Sequence, residues 1–158
     1  LNENPIIIVN LQGDMPNIEP KVIKNLINYM QQGKCEVGTL ASEIKNNFEL
    51  EDENIVKVLV KEKLKEGIFS EALDFLRVNP GQNHKTYHHV GIYAFTSIAL
   101  TKYVSLKRSK LELNRKLEQL RAMENGMSIH VGYINSSPLS VDTEKDLFRI
   151  KKLMEKNE

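Results

Sequence analysis

Pro5-Ile6-Ile7-Ile8-Val9-Asn10-Leu11, followed at once by Gln12-Gly13-Asp14, decides how the fold is read. A run of β-branched apolar residues without polar alternation is the pattern of a strand covered on both faces of a parallel sheet. Gly13 behind it lets the backbone turn sharply and lets a ligand come close. Pro20 then suits a first helical position, Val22, Ile23, Leu26, Ile27 and Met30 recur at helical spacing, and Gly33 is a stop signal. The unit predicted is strand, loop, helix.

Working outward, Val37 to Ala41 predicts a short strand, Asn54 to Val60 a firmer one, and Ala72 to Phe75 its partner across a lysine-rich turn from Lys61 to Gly67. Asn79 to Asn83 reads as a polar loop, and His89 to Phe95 returns to strand character. Ser97 is placed to cap a helix reaching about Tyr103. A second helix is predicted from Leu111 to Asn125, with Leu113, Leu117 and Leu120 on one side and Gly126 as its stop. Ser128 to Ile134 reads as strand. Thr143 with Asp146 forms a capping-box pattern opening a last helix, whose apolar side is Leu147, Ile150, Leu153 and Met154. Strands alternating with helices, without repeats or linkers, predict one α/β domain over residues 1–158 with ligands at the carboxyl ends of its strands.

The totals narrow the function. The 158 residues suffice for a single domain with a real core, and 22 Lys and Arg against 21 acids leave no basic tract for nucleic acid. Apolar runs such as Ile6 to Val9 fall far short of the roughly 20 residues a membrane helix needs, and no signal-like segment opens the chain. A cytoplasmic protein with neither nucleic-acid nor membrane partners is expected. The lone Cys35 can form no internal disulfide and reads as a small buried side chain. The chain starts at Leu1 and reaches an apolar strand almost at once, so an upstream segment is expected to be missing.

Several residues stand where chemistry is done. Asp14, directly after a strand, and Asp142, beside the cap of the last helix, are hard-cation ligands by type and could share magnesium and a triphosphate, or could serve a turn and a helix terminus. Arg77 closes a strand and could grip a carboxylate with its forked guanidinium, or make a surface ion pair. His88 and His89 are neighbours on a strand, so one points to each face. In Leu117-Glu118-Gln119-Leu120-Arg121 the leucines turn inward, and Glu118 and Arg121 share a helix face where they could pair.

Together, Asn10-Leu11-Gln12-Gly13-Asp14-Met15-Pro16, Phe75-Leu76-Arg77, His89-Val90-Gly91-Ile92-Tyr93, Leu117-Glu118-Gln119-Leu120-Arg121 and Val141-Asp142-Thr143 resemble the 3-deoxy-manno-octulosonate cytidylyltransferases in order and spacing along nearly the whole chain. The resemblance implies a nucleotide-diphospho-sugar transferase fold, a Rossmann-like mixed sheet flanked by helices, in a homodimeric enzyme. In it the anomeric hydroxyl of the sugar acid attacks the α-phosphate of CTP and pyrophosphate leaves, a reaction that depends on positioning and charge stabilisation. It further implies that Asp14 and Asp142 hold Mg2+, that Gln12 lies between nucleotide and sugar, and that Arg77, His89, Tyr93, Glu118 and Gln119 form the sugar-acid pocket.

The chain departs from the family pattern at Leu76, where serine is usual, and at Arg115, where glutamate is usual. The family's loop of pattern Pro-Ala-Arg-x-x-Ser-x-Arg-Leu-Pro-Gly-Lys, which binds the triphosphate, has no counterpart in the 158 residues. Residues 1–158 alone are therefore expected to bind nucleotide poorly, to turn over no substrate, and to be unstable or to associate. The rival readings are a sialic-acid type of cytidylyltransferase and an inactive remnant or regulatory binding domain.

Overall fold

The computed structural model describes residues 6–79, 81, 85–135, 137–141 and 143–155. Six strands, β1 (Ile7–Asn10), β2 (Val37–Ser42), β3 (Lys57–Val60), β4 (Phe69–Leu76), β5 (Thr86–Thr96) and β6 (Ile129–Tyr133), form one sheet in the order β1-β5-β2-β6-β4-β3. β2 and β6 run parallel, and the other described pairings are antiparallel. The mixed sheet expected from the resemblance is present.

Helix α1 (Pro20–Met30) covers one face, burying Leu26 and Met30 against Leu40, Val90, Ile92 and Ala94. The match of i, i+3, i+4 apolar spacing to one buried stripe explains the helix. Gly38 on β2 permits its close approach, because a Cβ there would stand 2.8 Å from Leu26 Cδ1 and from Met30 Sδ. Cys35 is buried beside Met30, as expected, and burial pushes its thiol up to about 12, so it stays a protonated packing group. The opposite face packs Val37, Val58, Phe75, Ile129 and Val131 under Ala99, Leu117, Leu120 and Ala122. Those four come from α3 (Ser97–Ser105), the turn after α4 (Lys110–Arg115), and α5 (Gln119–Glu124). The last helix, α6 (Glu144–Met154), opens with the expected Thr143–Asp146 capping box.

Several expectations need correcting. Among the described residues the opening strand β1 pairs antiparallel with β5 rather than in parallel, and its burial alternates, with Ile8 exposed between half-buried Ile7 and Val9. β-branched residues favour extended backbone in either direction of pairing, so the run specifies a strand without specifying its neighbours. Pro5 lies outside the described residues. The cap of α3 is Thr96, whose hydroxyl accepts from Ala99 N–H at 3.1 Å, rather than Ser97.

The helix read from Leu111 to Asn125 is two short helices. Lys116 adopts a left-handed conformation, φ 55° and ψ 46°, that ends α4 before α5 begins. The break lets Leu117, Leu120 and Ala122 bury together while Leu113 stays exposed, which one continuous helix from 111 to 125 would not allow. On α6, Ile150 is buried, whereas Leu147, Leu153 and Met154 are exposed.

Candidate active site

β5 is the longest strand, and its two edges are used differently. β2 follows one edge along Val37–Ser42. The other edge is shared end to end by β1, whose Asn10 lies opposite Tyr93, and β3, whose Lys57 lies opposite His88. Between these two pairings residues 89–92 have no strand on this edge among the described residues, although His89 N–H donates to Val56 O at 2.9 Å. In the same stretch the register with β2 slips between Thr39 and Leu40, placing a bulge at Gly91 and Ile92. Bulges re-aim side chains and recur beside active sites.

A cavity of about 650 Å³ opens at this interruption. Gln12, Arg77, His89, Tyr93, Glu118 and Gln119 all line it, although the sequence scatters them over more than 100 positions. Its apolar side is made by Ile8, Phe95, Leu100 and Val104. A smaller cavity of about 150 Å³ between α1 and the end of β6 contains none of the six.

The strand wall is neutral. His89 is buried edge-on to Phe75, with Nε2 3.0 Å from Thr39 Oγ1, and burial, assisted by neighbouring His88, pushes its imidazole down to about 3. Tyr93 lies beside His89, and burial moves its phenol well above the ordinary range. The Tyr93 hydroxyl is buried without a partner, leaving a donor for a ligand. The two histidines do point apart: His88 lies 3.7 Å from Glu49 on the other side of the strand.

The helix wall depends on an ion pair that the sequence reading misassigned. Arg121 pairs with Glu112 rather than Glu118, donating from Nε to Oε2 at 2.8 Å and from Nη2 to Oε1. This pair is mostly buried, and Arg121, chiefly through its hydrogen bonds, holds the Glu112 carboxyl below the usual carboxylate range. Glu112 also closes a capping box with Ser109, and the Arg121 guanidinium lies 4.9 Å from the Tyr103 ring centre. Tyr103 Oη donates to Glu118 O at 3.2 Å. The backbone of Glu118 is thus tied through Tyr103 to the Arg121–Glu112 pair. The Ser109-x-x-Glu112 spacing was a legible capping signal, but the long-range partner was not.

Arg77 follows β4 and donates from Nη1 to the carbonyls of Glu53 at 3.0 Å and Asn54 at 3.5 Å. Lys57, fully buried, fixes the same corner by donating to Arg77 O at 2.8 Å and to Asp52 O. Arg115 has a local role: it bonds Asp74 at 2.7 Å and Phe75 O at 3.1 Å behind the pocket.

Asp14 stands on the loop after β1. Its carbonyl accepts from Val141 N–H at 2.9 Å, and its Oδ2 accepts from Ser140 Oγ at 3.4 Å. Its Oδ1 is buried without a hydrogen-bond donor among the described residues. Asp142, next in sequence to Val141, lies outside the described residues. Among the described residues no three His, Cys, Asp or Glu side chains cluster as metal ligands.

A mixed sheet flanked by helices, with a largely apolar cavity carrying several polar groups, is an architecture this chain shares with solved nucleotidyltransferases. The structure of an apo UDP-glucose pyrophosphorylase shares the fold at 17% identity, with a TM-score of 0.67 over 98% of this chain and 55% of that one. The chain belongs to the cytidylyltransferase family, whose sequence model matches residues 1–129. The 3-deoxy-manno-octulosonate cytidylyltransferase of Bartonella tribocorum is 40% identical over 148 residues, 93% of this chain and 60% of the relative. A structure of CMP:2-keto-3-deoxy-manno-octonic acid synthetase complexed with CTP matches at 30% identity and a TM-score of 0.86, over 100% of this chain and 64% of that one. The chain thus spans about 60% of the length of the curated relatives it matches.

Proposed function

We propose that this protein couples CTP to 3-deoxy-manno-octulosonate, releasing pyrophosphate and giving the CMP-sugar for lipopolysaccharide synthesis, as a cytoplasmic, magnesium-dependent homodimer. The observation that carries the reading is the convergence of Gln12, Arg77, His89, Tyr93, Glu118 and Gln119 on one cavity. An eight-carbon sugar acid offers one carboxylate and many hydroxyls. Arg77 is the cation suited to the carboxylate, with Nη1 already anchored to backbone, so that its remaining donors are aimed rather than loose. His89, Tyr93, Glu118 and Gln119 supply neutral and anionic hydrogen-bonding groups for the hydroxyls. Gln12, on the loop between β1 and Asp14, divides the sugar from the nucleotide.

The unpartnered Oδ1 of Asp14 fits a divalent cation, and Asp14 with Asp142 would hold it. When bound, magnesium supplies charge neutralisation for the triphosphate. The chain's own residues contribute orientation: they seat the sugar so that its anomeric hydroxyl approaches the α-phosphate, and the apolar side of the cavity limits water. No helix in the described residues is long and apolar enough to cross a membrane.

The test is pyrophosphate release by the complete protein with CTP and magnesium, comparing this sugar acid with sialic acid. Turnover restricted to the eight-carbon acid is expected. Preference for sialic acid would overturn the substrate assignment, and no turnover with either would overturn the enzymatic one.

A further inference from the structure

Thr39 is fully buried on β2 beside the bulge of β5. A bulge takes backbone groups out of the ladder, and the Thr39 hydroxyl lies 2.8 Å from the O of the bulged Ile92 and 3.2 Å from the neighbouring Val90 O. Carbonyl oxygens only accept, so the single hydroxyl proton is committed to them. The same Oγ1 lies 3.0 Å from His89 Nε2, where it can then only accept. Nε2 therefore carries the imidazole proton, and Nδ1 keeps its lone pair. Burial keeps the ring from taking a second proton near neutral pH. Among the described residues Nδ1 has no hydrogen-bond partner.

We propose that Thr39 is a positioning residue that locks His89 in the Nε2–H tautomer, so that the nitrogen left for the cavity is an acceptor for a sugar hydroxyl. The last step rests on reading the cavity as the sugar-acid pocket; the tautomer does not. A pocket offering an acceptor here discriminates in favour of a ligand hydroxyl and against a deoxy or keto analogue at that position, because the analogue would leave the nitrogen unsatisfied.

The experiment has two arms. Imidazole 15N spectra of the wild-type protein are expected to show His89 with Nε2 protonated and Nδ1 bare; a proton on Nδ1 would overturn the proposal without any variant. Thr39→Val, which keeps the shape and removes the hydroxyl, should give mixed tautomers, and Thr39→Ser should restore the single one. In pyrophosphate release by the complete protein, Thr39→Val should raise the sugar-acid KM about tenfold, with kcat and the CTP KM within about twofold, and Thr39→Ser should rescue it. An unchanged sugar-acid KM, or an equal loss for CTP, would overturn the positioning role. If the spectra behave as expected but the wild-type enzyme does not use the sugar acid, the functional reading fails and the tautomer assignment stands.

Discussion

The strand wall of the cavity and the loop at its rim handle polarity in opposite ways. On the wall His89 is buried and neutral, with hydrogen bonds running through Thr39 into the backbone, and the part-buried Tyr93 keeps a neutral hydroxyl free to donate. At the rim a carboxylate oxygen of Asp14 is buried with no donor among the described residues. A neutral side chain is stable in such surroundings once it is hydrogen-bonded, whereas a bare carboxylate oxygen is stable only if something positive arrives. On the proposed function the wall would recognise hydroxyls, and the rim would take the charge that enters with the ligand.

The largest effect that would sharpen this contrast is expected at the rim. Asp14→Asn should lower pyrophosphate release by about a thousandfold, the scale of removing a key charge-stabilising group, and should leave thermal stability unchanged or raised because no protein donor is lost from Oδ1. A parallel drop in melting temperature would mean that Asp14 is structural and would erase the distinction.

Next comes the support of the helix wall. Arg121→Met strands the buried Glu112 carboxylate and should destabilise the fold by about 3 kcal/mol, read by urea unfolding. Because the folded-state carboxyl of Glu112 is depressed, the stability it contributes is present above the ordinary carboxylate range and is lost as pH falls through the depressed value. In Arg121→Met this acid-side loss should disappear, because without the guanidinium, burial no longer leaves the folded carboxyl below its unfolded value. An unaltered acid limb would show that the pair contributes nothing.

Arg77→Lys should raise the sugar-acid KM about thirtyfold and change the CTP KM by less than about twofold, since one ammonium cannot reproduce a guanidinium fork. Equal effects on both substrates would dissolve the separation between sugar wall and nucleotide rim. The smallest effect concerns His89. Its folded value is lowered from 6.5 to about 3, so the unfolded chain takes up a proton that the folded one refuses, and stability is lost as pH is lowered across that interval. His89→Gln should flatten the slope by at most one proton, about 1.4 kcal/mol per pH unit. No change in slope would place a charged histidine on the wall.

Local patterns made much of this readable. α1 followed from its apolar stripe and Pro20, the last helix from its capping box, and the rim from Gln12-Gly13-Asp14 behind a strand. What escaped was set by distant partners. The direction of β1 depends on β5, more than 80 residues away; the break at Lys116 depends on burying Leu117 and Leu120 together; and Arg121 chose Glu112 over the nearer Glu118. Thr39 carried no signal, because in a fully buried strand a threonine and a valine read alike until the bulge opposite it is known.

The most direct measurement is an NMR titration of the complete protein with 3-deoxy-manno-octulosonate alone, in the absence of nucleotide. Side-chain signals of Arg77, His89, Tyr93 and Gln119 are expected to shift together, with Asp14 and Ser140 unmoved until CTP and magnesium are added. Shifts centred instead on Asn17, Asn25 and Tyr133, which line the smaller cavity under α1, would contradict the assignment of the sugar pocket.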